Sequence, residues 1–184
     1  MCSAHISVAL TLGTLLTTTN VFGKLGAPGG PQKLPYDAPD TFKIFETFRF
    51  AVSISDSDND TVFECLQANR TAFNPEEKTA TYVFIFPNTQ EQIPFHVKYD
   101  DTPGIFTFTV DKDPTPRDGI FYYTDYVNCD VVDIDFRGHQ CILWAQRSVK
   151  DNVPQDCIDH FVDICGVVVP EHSRDLCPDG EGDY

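Results

Sequence analysis

Residues 141–161, CILWAQRSVKDNVPQDCIDHF, carry the features that decide the fold of this 184-residue chain. A short apolar run contains Trp144, the single tryptophan, and gives way to a polar loop. Pro154 follows and fits the first turn of a helix, where its missing N–H costs little. Cys157 and Phe161 then recur at four-residue spacing, as on the apolar face of a helix. The stretch therefore predicts a strand followed by a helix that lies against the outside of the strands.

Upstream of this stretch, apolar and polar residues alternate, as expected for strands that bury one face. In residues 93–100, for example, Phe95 and Val97 face one way, and His96 and Lys98 face the other. The pattern predicts strands within residues 48–55, 81–87, 93–100, 104–111, 120–136 and 141–147. Closely spaced turn signals between them favour antiparallel hairpins, because a parallel crossover needs about a dozen residues or more. About eight strands indicate either a closed up-and-down barrel or a sandwich.

The first elements of the folded part are a short helix and the strand after it. Asp40 fits the N-cap of a helix in residues 41–48, with Phe42, Ile44 and Phe45 available for its apolar face. In residues 48–55 the alternation then puts four apolar residues on one face of the strand. They are Phe48, Phe50, Val52 and Ile54.

Both ends of the chain differ in composition from this folded part. Residues 1–23 contain no Asp, Glu, Lys or Arg and hold an apolar block, which predicts a cleaved signal peptide. A membrane anchor is the competing interpretation, but the block is too short and too rich in Thr to span a bilayer. Residues 24–39 are rich in Pro and Gly and predict an extended lead-in, and the acidic residues 179–184 predict a disordered tail. We therefore expect a secreted protein without a membrane span.

The cysteines and glycosylation sequons also suit secretion. Removal of the signal peptide takes away Cys2 and leaves an even number of cysteines, which predicts three disulfides. They are Cys65, Cys129, Cys141, Cys157, Cys165 and Cys177. Two sequons begin at Asn59, in a predicted turn, and at Asn69, just after a predicted strand. We expect both asparagines to be exposed and glycosylated.

Composition and motifs exclude several classes of function. A net charge of −15 would repel nucleic acid and anionic membranes. Residues 56–61, DSDNDT, imitate half of a calcium loop but lack the glycine and the glutamate that such a loop needs. His160, Asp156 and Cys157 imitate a nucleophilic site, but a bridged cysteine has no thiolate. We therefore expect a monomeric domain that is not an enzyme and has no metal and no cofactor.

Aromatic residues are abundant, with 15 Phe and 7 Tyr against one Met. In a sandwich they would form a packed core. In an eight-stranded barrel the interior is wide enough either to be filled by side chains or to hold one small ligand. Periodicity alone leaves this choice open.

From Asn128 onward the sequence resembles the tick salivary lipocalins, the family that contains the histamine-binding proteins. The residues that carry the resemblance are Cys129-Asp130, Leu143-Trp144, and Pro154, Cys157 and Phe161 at the start of the helix. The resemblance covers about residues 40–178, and its motifs are specific in the last third of the chain. It implies an all-β, eight-stranded antiparallel up-and-down lipocalin barrel over residues 40–178, with a short N-terminal helix and one C-terminal helix packed outside. It also implies the disulfides Cys65–Cys177 and Cys129–Cys157, and with them Cys141–Cys165.

The same resemblance implies a ligand inside the barrel. In amine-binding members a carboxylate stands two residues before the tryptophan, whereas this chain has Ile142 there. We therefore expect a small hydrophobic ligand, a sterol such as cholesterol or another lipid, as in the japanin-like branch that alters host dendritic cells. The residues expected to line the site are Phe50, Phe84, Phe95, Phe106, Phe108, Tyr123, Ile142 and Trp144.

Two other hypotheses remain from the sequence. The barrel could have a filled core and act only through its surface, by binding a host immune protein or receptor. Alternatively, the protein could scavenge a biogenic amine such as histamine or serotonin, using acidic groups such as Asp56 or Asp125 together with Tyr123. In all three cases the site of action would be host tissue reached by tick saliva.

Overall fold

The computed structural model describes residues 27–57, 62–167 and 177. Eight antiparallel strands in this part of the chain form a closed barrel in sequence order, with the last strand paired to the first. The predicted up-and-down barrel is confirmed, and the sandwich is excluded. The strands are β1 (Phe50–Asp56), β2 (Gln67–Asn74), β3 (Thr79–Ile85), β4 (Gln92–Tyr99), β5 (Ile105–Val110), β6 (Asp113–Thr124), β7 (Cys129–Asp135) and β8 (His139–Gln146).

Two α-helices flank the barrel in the described residues, as the sequence predicts. Helix α1 (Thr41–Thr47) begins after Asp40, whose Oδ1 accepts a hydrogen bond from the Lys43 amide at 3.3 Å. Helix α2 (Gln155–Cys165) begins after Pro154. It ends at Gly166, whose φ of 73° lies in the left-handed region that glycine adopts without strain.

The alternation of β7 and β8 divides their apolar residues between two clusters. Ile142 and Trp144 of β8 belong to the cluster inside the barrel. Cys141 and Leu143 of the same strand belong to a second cluster, in which the apolar face of α2 packs on the outside. Because each strand of this wall contributes to both clusters, the helix covers its outer face while the barrel interior stays a separate space.

Three disulfides join the six cysteines of the described residues, and their pairing is the predicted one. Cys129 on β7 and Cys141 on β8 bond to Cys157 and Cys165 on α2, with Cα–Cα distances of 6.2 and 5.8 Å. The third disulfide joins Cys65 to Cys177 across a sequence separation of 112 residues. The first two hold α2 against the wall that contains Trp144.

The prediction that Phe50 faces the interior is wrong. Its ring is 42% exposed on the outside, and Ala51 points inward instead. Val52 contacts the Cys65–Cys177 disulfide, and Ile54 packs in the outer cluster beneath α2. On β1, Val52 and Ile54 thus pack against structure outside the barrel while the small Ala51 faces the cavity, so the hydrophobic pattern indicates the wrong inner face.

The prediction for Tyr123 is wrong for a different reason. The register of β6 against β7 shifts between Phe121 and Tyr123, so the alternation changes there. Phe121 points inward, whereas Tyr123 lies in the outer cluster, stacked on His160 with ring centroids 3.7 Å apart. Its hydroxyl donates to Asp156 Oδ2 at 2.6 Å. A bulge of this kind reverses the facing of every later residue in the strand.

Asn69 lies inside β2 and not just after a strand, and its side chain is partly exposed. Asn59, the predicted signal peptide (1–23) and the predicted tail (179–184) fall outside the described residues. Among the described residues no helix has the length and apolar character to cross a membrane.

Candidate ligand-binding site

The barrel encloses a cavity of about 70 Å³ whose wall is almost entirely apolar. Side chains from both α1 and the strands form the wall. They are Ile44, Phe45, Phe48, Ala51, Ala68, Tyr82, Phe84, Phe95, Val97, Phe106, Phe108, Phe121, Asp130, Val132, Ile134 and Trp144. We call this space the barrel cavity.

Aromatic rings in contact with one another form one side of the barrel cavity. Phe84 stacks on Phe95 with ring centroids 3.9 Å apart, and Phe95 is 5.4 Å from Phe108. Phe84 also contacts Trp144 at 5.4 Å. Such a wall favours an aromatic or flat apolar ligand, because ring–ring contacts add to the burial of apolar area.

Helix α1 contributes Ile44 and Phe45 to the wall and closes one side of the cavity. The Arg70 guanidinium on β2 donates to the carbonyl oxygens of Phe45 and Glu46, in the last turn of the helix. The Tyr82 hydroxyl donates to the Phe48 carbonyl at 2.7 Å. These bonds satisfy carbonyl groups that a helix end leaves unpaired, and they hold α1 over the cavity.

One carboxylate, that of Asp130 on β7, lines the barrel cavity. Asp130 is 3% exposed and pairs directly with Trp144 on β8. Its Oδ1 has no hydrogen-bond partner among the described residues. Burial, followed by the nearby charge of Asp125, raises the pKa of Asp130 well above its ordinary value. The carboxyl group therefore resists ionisation unless a cation accompanies it.

This arrangement combines an apolar aromatic wall with a single acidic group that lacks a partner. A buried charge is costly without an opposite charge, and a buried pair with good geometry removes much of that cost. A cationic amine in the cavity would therefore favour the ionised form of Asp130. A neutral hydroxyl would instead hydrogen-bond its protonated form.

Five of the predicted site residues line the barrel cavity, namely Phe84, Phe95, Phe106, Phe108 and Trp144. Ile142 points inward and is fully buried, but it is not part of the cavity wall. Phe50 and Tyr123 lie outside the barrel, as described above. The absence of a carboxylate at position 142 thus does not leave the cavity without one.

Asp130 is the residue that sequence reasoning missed, although a signal for it was present. Cys129 was expected to bond to Cys157 on the outer helix, so Cys129 had to point outward. Successive residues of a strand point to opposite faces, and Asp130 therefore had to point inward. The contribution of α1 had no such signal, because Phe45 reaches the cavity only through the tertiary position of the helix.

The other acidic groups considered for an amine site have different surroundings. Asp125 lies in the β6–β7 loop, where it accepts hydrogen bonds from the amides of Val127, Asn128 and Cys129. Burial acts to raise the pKa of Asp125, but these amides lower it overall. Asp56 is buried and pairs with Ile142. Neither carboxylate is part of the wall of the barrel cavity.

Comparison with known proteins gives one family match. No curated protein matches the chain. The family model described as tick histamine binding protein matches residues 46–174, a range that contains all eight strands of the barrel and α2. The chain therefore belongs to the tick histamine-binding protein family.

Proposed function

We propose that this protein is a secreted binding protein that sequesters a small aromatic amine, with the ammonium paired to Asp130 and the ring against Trp144 and Phe84. The observation that carries the proposal is the buried, unpartnered Oδ1 of Asp130 in a cavity whose other walls are apolar. Histamine and serotonin are small aromatic amines that carry the required positive charge. The family to which the chain belongs is named for histamine, which supports the same ligand class.

Cavity size favours an amine over a sterol. Pockets for drug-sized ligands measure about 300–1,000 Å³, whereas the barrel cavity measures about 70 Å³. A small amine needs a modest displacement of α1 or of the aromatic rings. A sterol needs a much larger expansion of a closely packed interior, which costs packing contacts.

Cholesterol or another lipid is the second candidate, in a carrier that modulates host immune cells such as dendritic cells. Its support is the apolar wall, because burial of apolar area favours binding by about 25 cal/mol per Å². In this candidate the protonated Asp130 hydrogen-bonds the sterol hydroxyl. The two candidates differ in charge, and the role of Asp130 therefore separates them.

Calorimetric titration with histamine, serotonin and cholesterol tests the proposal. The wild-type protein should bind an amine, and Asp130→Asn should weaken that binding by about thirtyfold or more, since loss of one partner of a buried charge pair costs about 2 kcal/mol or more. Asp133→Asn is the matched control, because Asp133 is on the same strand but pairs with Cys141 on the outer face. Tight cholesterol binding without amine binding would contradict the proposal.

Proton release gives a second readout. Asp130 has a raised pKa in the empty barrel, so an arriving ammonium should displace its proton. The binding heat should therefore change with the ionisation enthalpy of the buffer, and amine affinity should rise with pH up to the pKa of the empty site. Cholesterol binding should show neither effect.

A further inference from the structure

A row of cross-strand neighbours on the outside of the barrel places an asparagine between apolar side chains. Asn69 on β2 pairs with Phe50 on β1 and with Val83 on β3, and Val83 pairs in turn with Pro94 on β4. Ala68, the neighbour of Asn69 along β2, lines the barrel cavity, so the row faces outward. We call Phe50, Asn69, Val83 and Pro94 the outer row.

The apolar members of the outer row are open to solvent. Phe50 is 42% exposed, although the Arg49 guanidinium lies 5.1 Å from the centroid of its ring. Val83 and Pro94 are partly exposed. Removal of apolar surface from water contributes about 25 cal/mol per Å². A cover over the outer row would therefore stabilise the folded protein.

Asn69 and Phe50 form the closer of the two kinds of antiparallel pair. The Arg70 amide donates to the Arg49 carbonyl at 2.9 Å, and a bond in this position flanks a pair that is not itself hydrogen-bonded. In such pairs the Cα atoms are about 4.5 Å apart, and side chains on the same face interact. A group attached to the Asn69 amide would therefore begin beside the Phe50 ring.

Asn69 also meets the requirements of a modification site. It begins the sequon Asn69-Arg70-Thr71, and the Asn69 side chain is partly exposed on the folded barrel. The three disulfides are typical of a chain that folds in an oxidising compartment, on the export route where asparagines are glycosylated. The sequon thus identifies the group that could cover the outer row.

We propose that Asn69 carries an N-linked glycan whose first N-acetylglucosamine lies on the Phe50 ring and covers the outer row. In the attachment step, Asn69 Nδ2 forms a bond to C1 of the first sugar of a polyprenyl-diphosphate-linked oligosaccharide. The bond from C1 to the diphosphate oxygen breaks, the polyprenyl diphosphate leaves with the bonding electrons, and Nδ2 loses one proton. The proposal does not depend on the ligand of the barrel.

The chemistry of the sugar suits this neighbour. One face of an N-acetylglucosamine ring presents C–H groups, whose hydrogens are slightly positive, and the face of an aromatic ring is negative. Stacking therefore adds an electrostatic attraction to the burial of apolar area. Val83 lies on the other side of Asn69, so the glycan has apolar neighbours on both sides.

Thermal unfolding of single-glycan proteins tests the proposal. Secretion of the full chain from insect cells with Asn59→Gln leaves Asn69 as the one sequon, and Asn69→Gln added to it gives the unglycosylated reference. The glycosylated protein should melt about 2–4 °C higher, the shift that one aromatic contact gives in a domain of this size. Trimming by an endoglycosidase to a single N-acetylglucosamine should keep this shift, because the first sugar makes the contact.

Phe50→Leu in both proteins should abolish the difference in melting temperature, because it removes the ring and keeps an apolar side chain. Tyr36→Leu is the matched control, since Tyr36 is 39% exposed but lies beside β6, and the difference should persist there. In proton NMR of the trimmed protein, ring protons of the sugar should be shifted upfield with Phe50 and not with Leu. An unmodified Asn69 in the mass spectrum, or an equal glycan-dependent shift with and without the Phe50 ring, would overturn the proposal.

Discussion

At the scale of single residues, the buried Asp130 makes the stability of the fold depend on pH. Its pKa in the folded protein is raised by burial, whereas in the unfolded chain it is close to 3.9. The folded state thus holds the proton over a pH range in which the unfolded state has lost it. Stability from this group is fully present below the unfolded pKa and is lost as pH rises through the folded pKa.

The wild-type protein should therefore lose stability as pH rises, and Asp130→Asn should abolish this dependence. Between pH 4 and the folded pKa, the free energy of unfolding of the wild-type protein should fall relative to the variant by up to about 1.4 kcal/mol per pH unit. Urea unfolding of both proteins from pH 3.5 to 8 measures the difference. Parallel pH profiles would show that Asp130 ionises as freely in the folded protein as in the unfolded chain.

At the scale of elements, α1 is the helix that covers the barrel cavity. Its residues Ile44 and Phe45 cover the cavity, and the Arg70 guanidinium bonds the carbonyls of its last turn. A ligand that enters on this side must displace the helix. The strength of the Arg70 contact should therefore set the rates of entry and exit more than the affinity.

Arg70→Met should raise the association and dissociation rate constants of the barrel ligand together and change its dissociation constant by less than about threefold. The variant should also lose about 1–2 kcal/mol of stability with the hydrogen bonds. Stopped-flow tryptophan fluorescence is a suitable measurement, since Trp144 lines the cavity. Arg49→Met is the matched control, because the Arg49 guanidinium lies over the exposed Phe50 ring. Equal rates in the two variants would contradict a gating role for α1.

Helix α2 depends on covalent attachment as well as on packing. The Cys141–Cys165 disulfide closes a loop with a sequence separation of 24 residues. A double substitution Cys141→Ala/Cys165→Ala should lower the free energy of unfolding by about 3 kcal/mol, measured in guanidinium chloride. Amine binding at saturating concentration should persist, because both sulfurs lie in the outer cluster. An unchanged unfolding midpoint would mean that the bond adds nothing to the attachment of α2.

The sequence predicted the strands in which the alternation of apolar and polar residues depends only on the contrast between core and solvent. In β4 and β5 the inner face is apolar and the outer face is more exposed to solvent, so apolar and polar residues alternate strictly. In β2, QANRTAFN, the inner residue Ala68 is small and the rest is mostly polar, which leaves no such pattern. In β1, apolar residues also pack outside the barrel, and in β6 a register shift changes which residues face inward. The predictions for Phe50 and Tyr123 were therefore wrong.

At the scale of the whole molecule, net charge and the buried site act on different steps of binding. The chain carries a net charge of −15, and a field of this sign attracts cations over distances of roughly the Debye length. Asp130, by contrast, is buried and is little affected by salt. The surface should therefore govern how fast an amine arrives, and Asp130 should govern how long it stays.

Salt should then slow the arrival of an amine without speeding its departure. Between about 0.02 and 0.5 M NaCl we expect the association rate constant of histamine to fall roughly threefold to tenfold, because screening removes the long-range attraction. Its dissociation rate constant should stay nearly constant, since an ammonium paired with the buried Asp130 would lie out of solvent. Stopped-flow mixing measures all of these rates, and a salt-dependent dissociation rate for histamine would indicate that the amine binds at the acidic surface instead of beside Asp130.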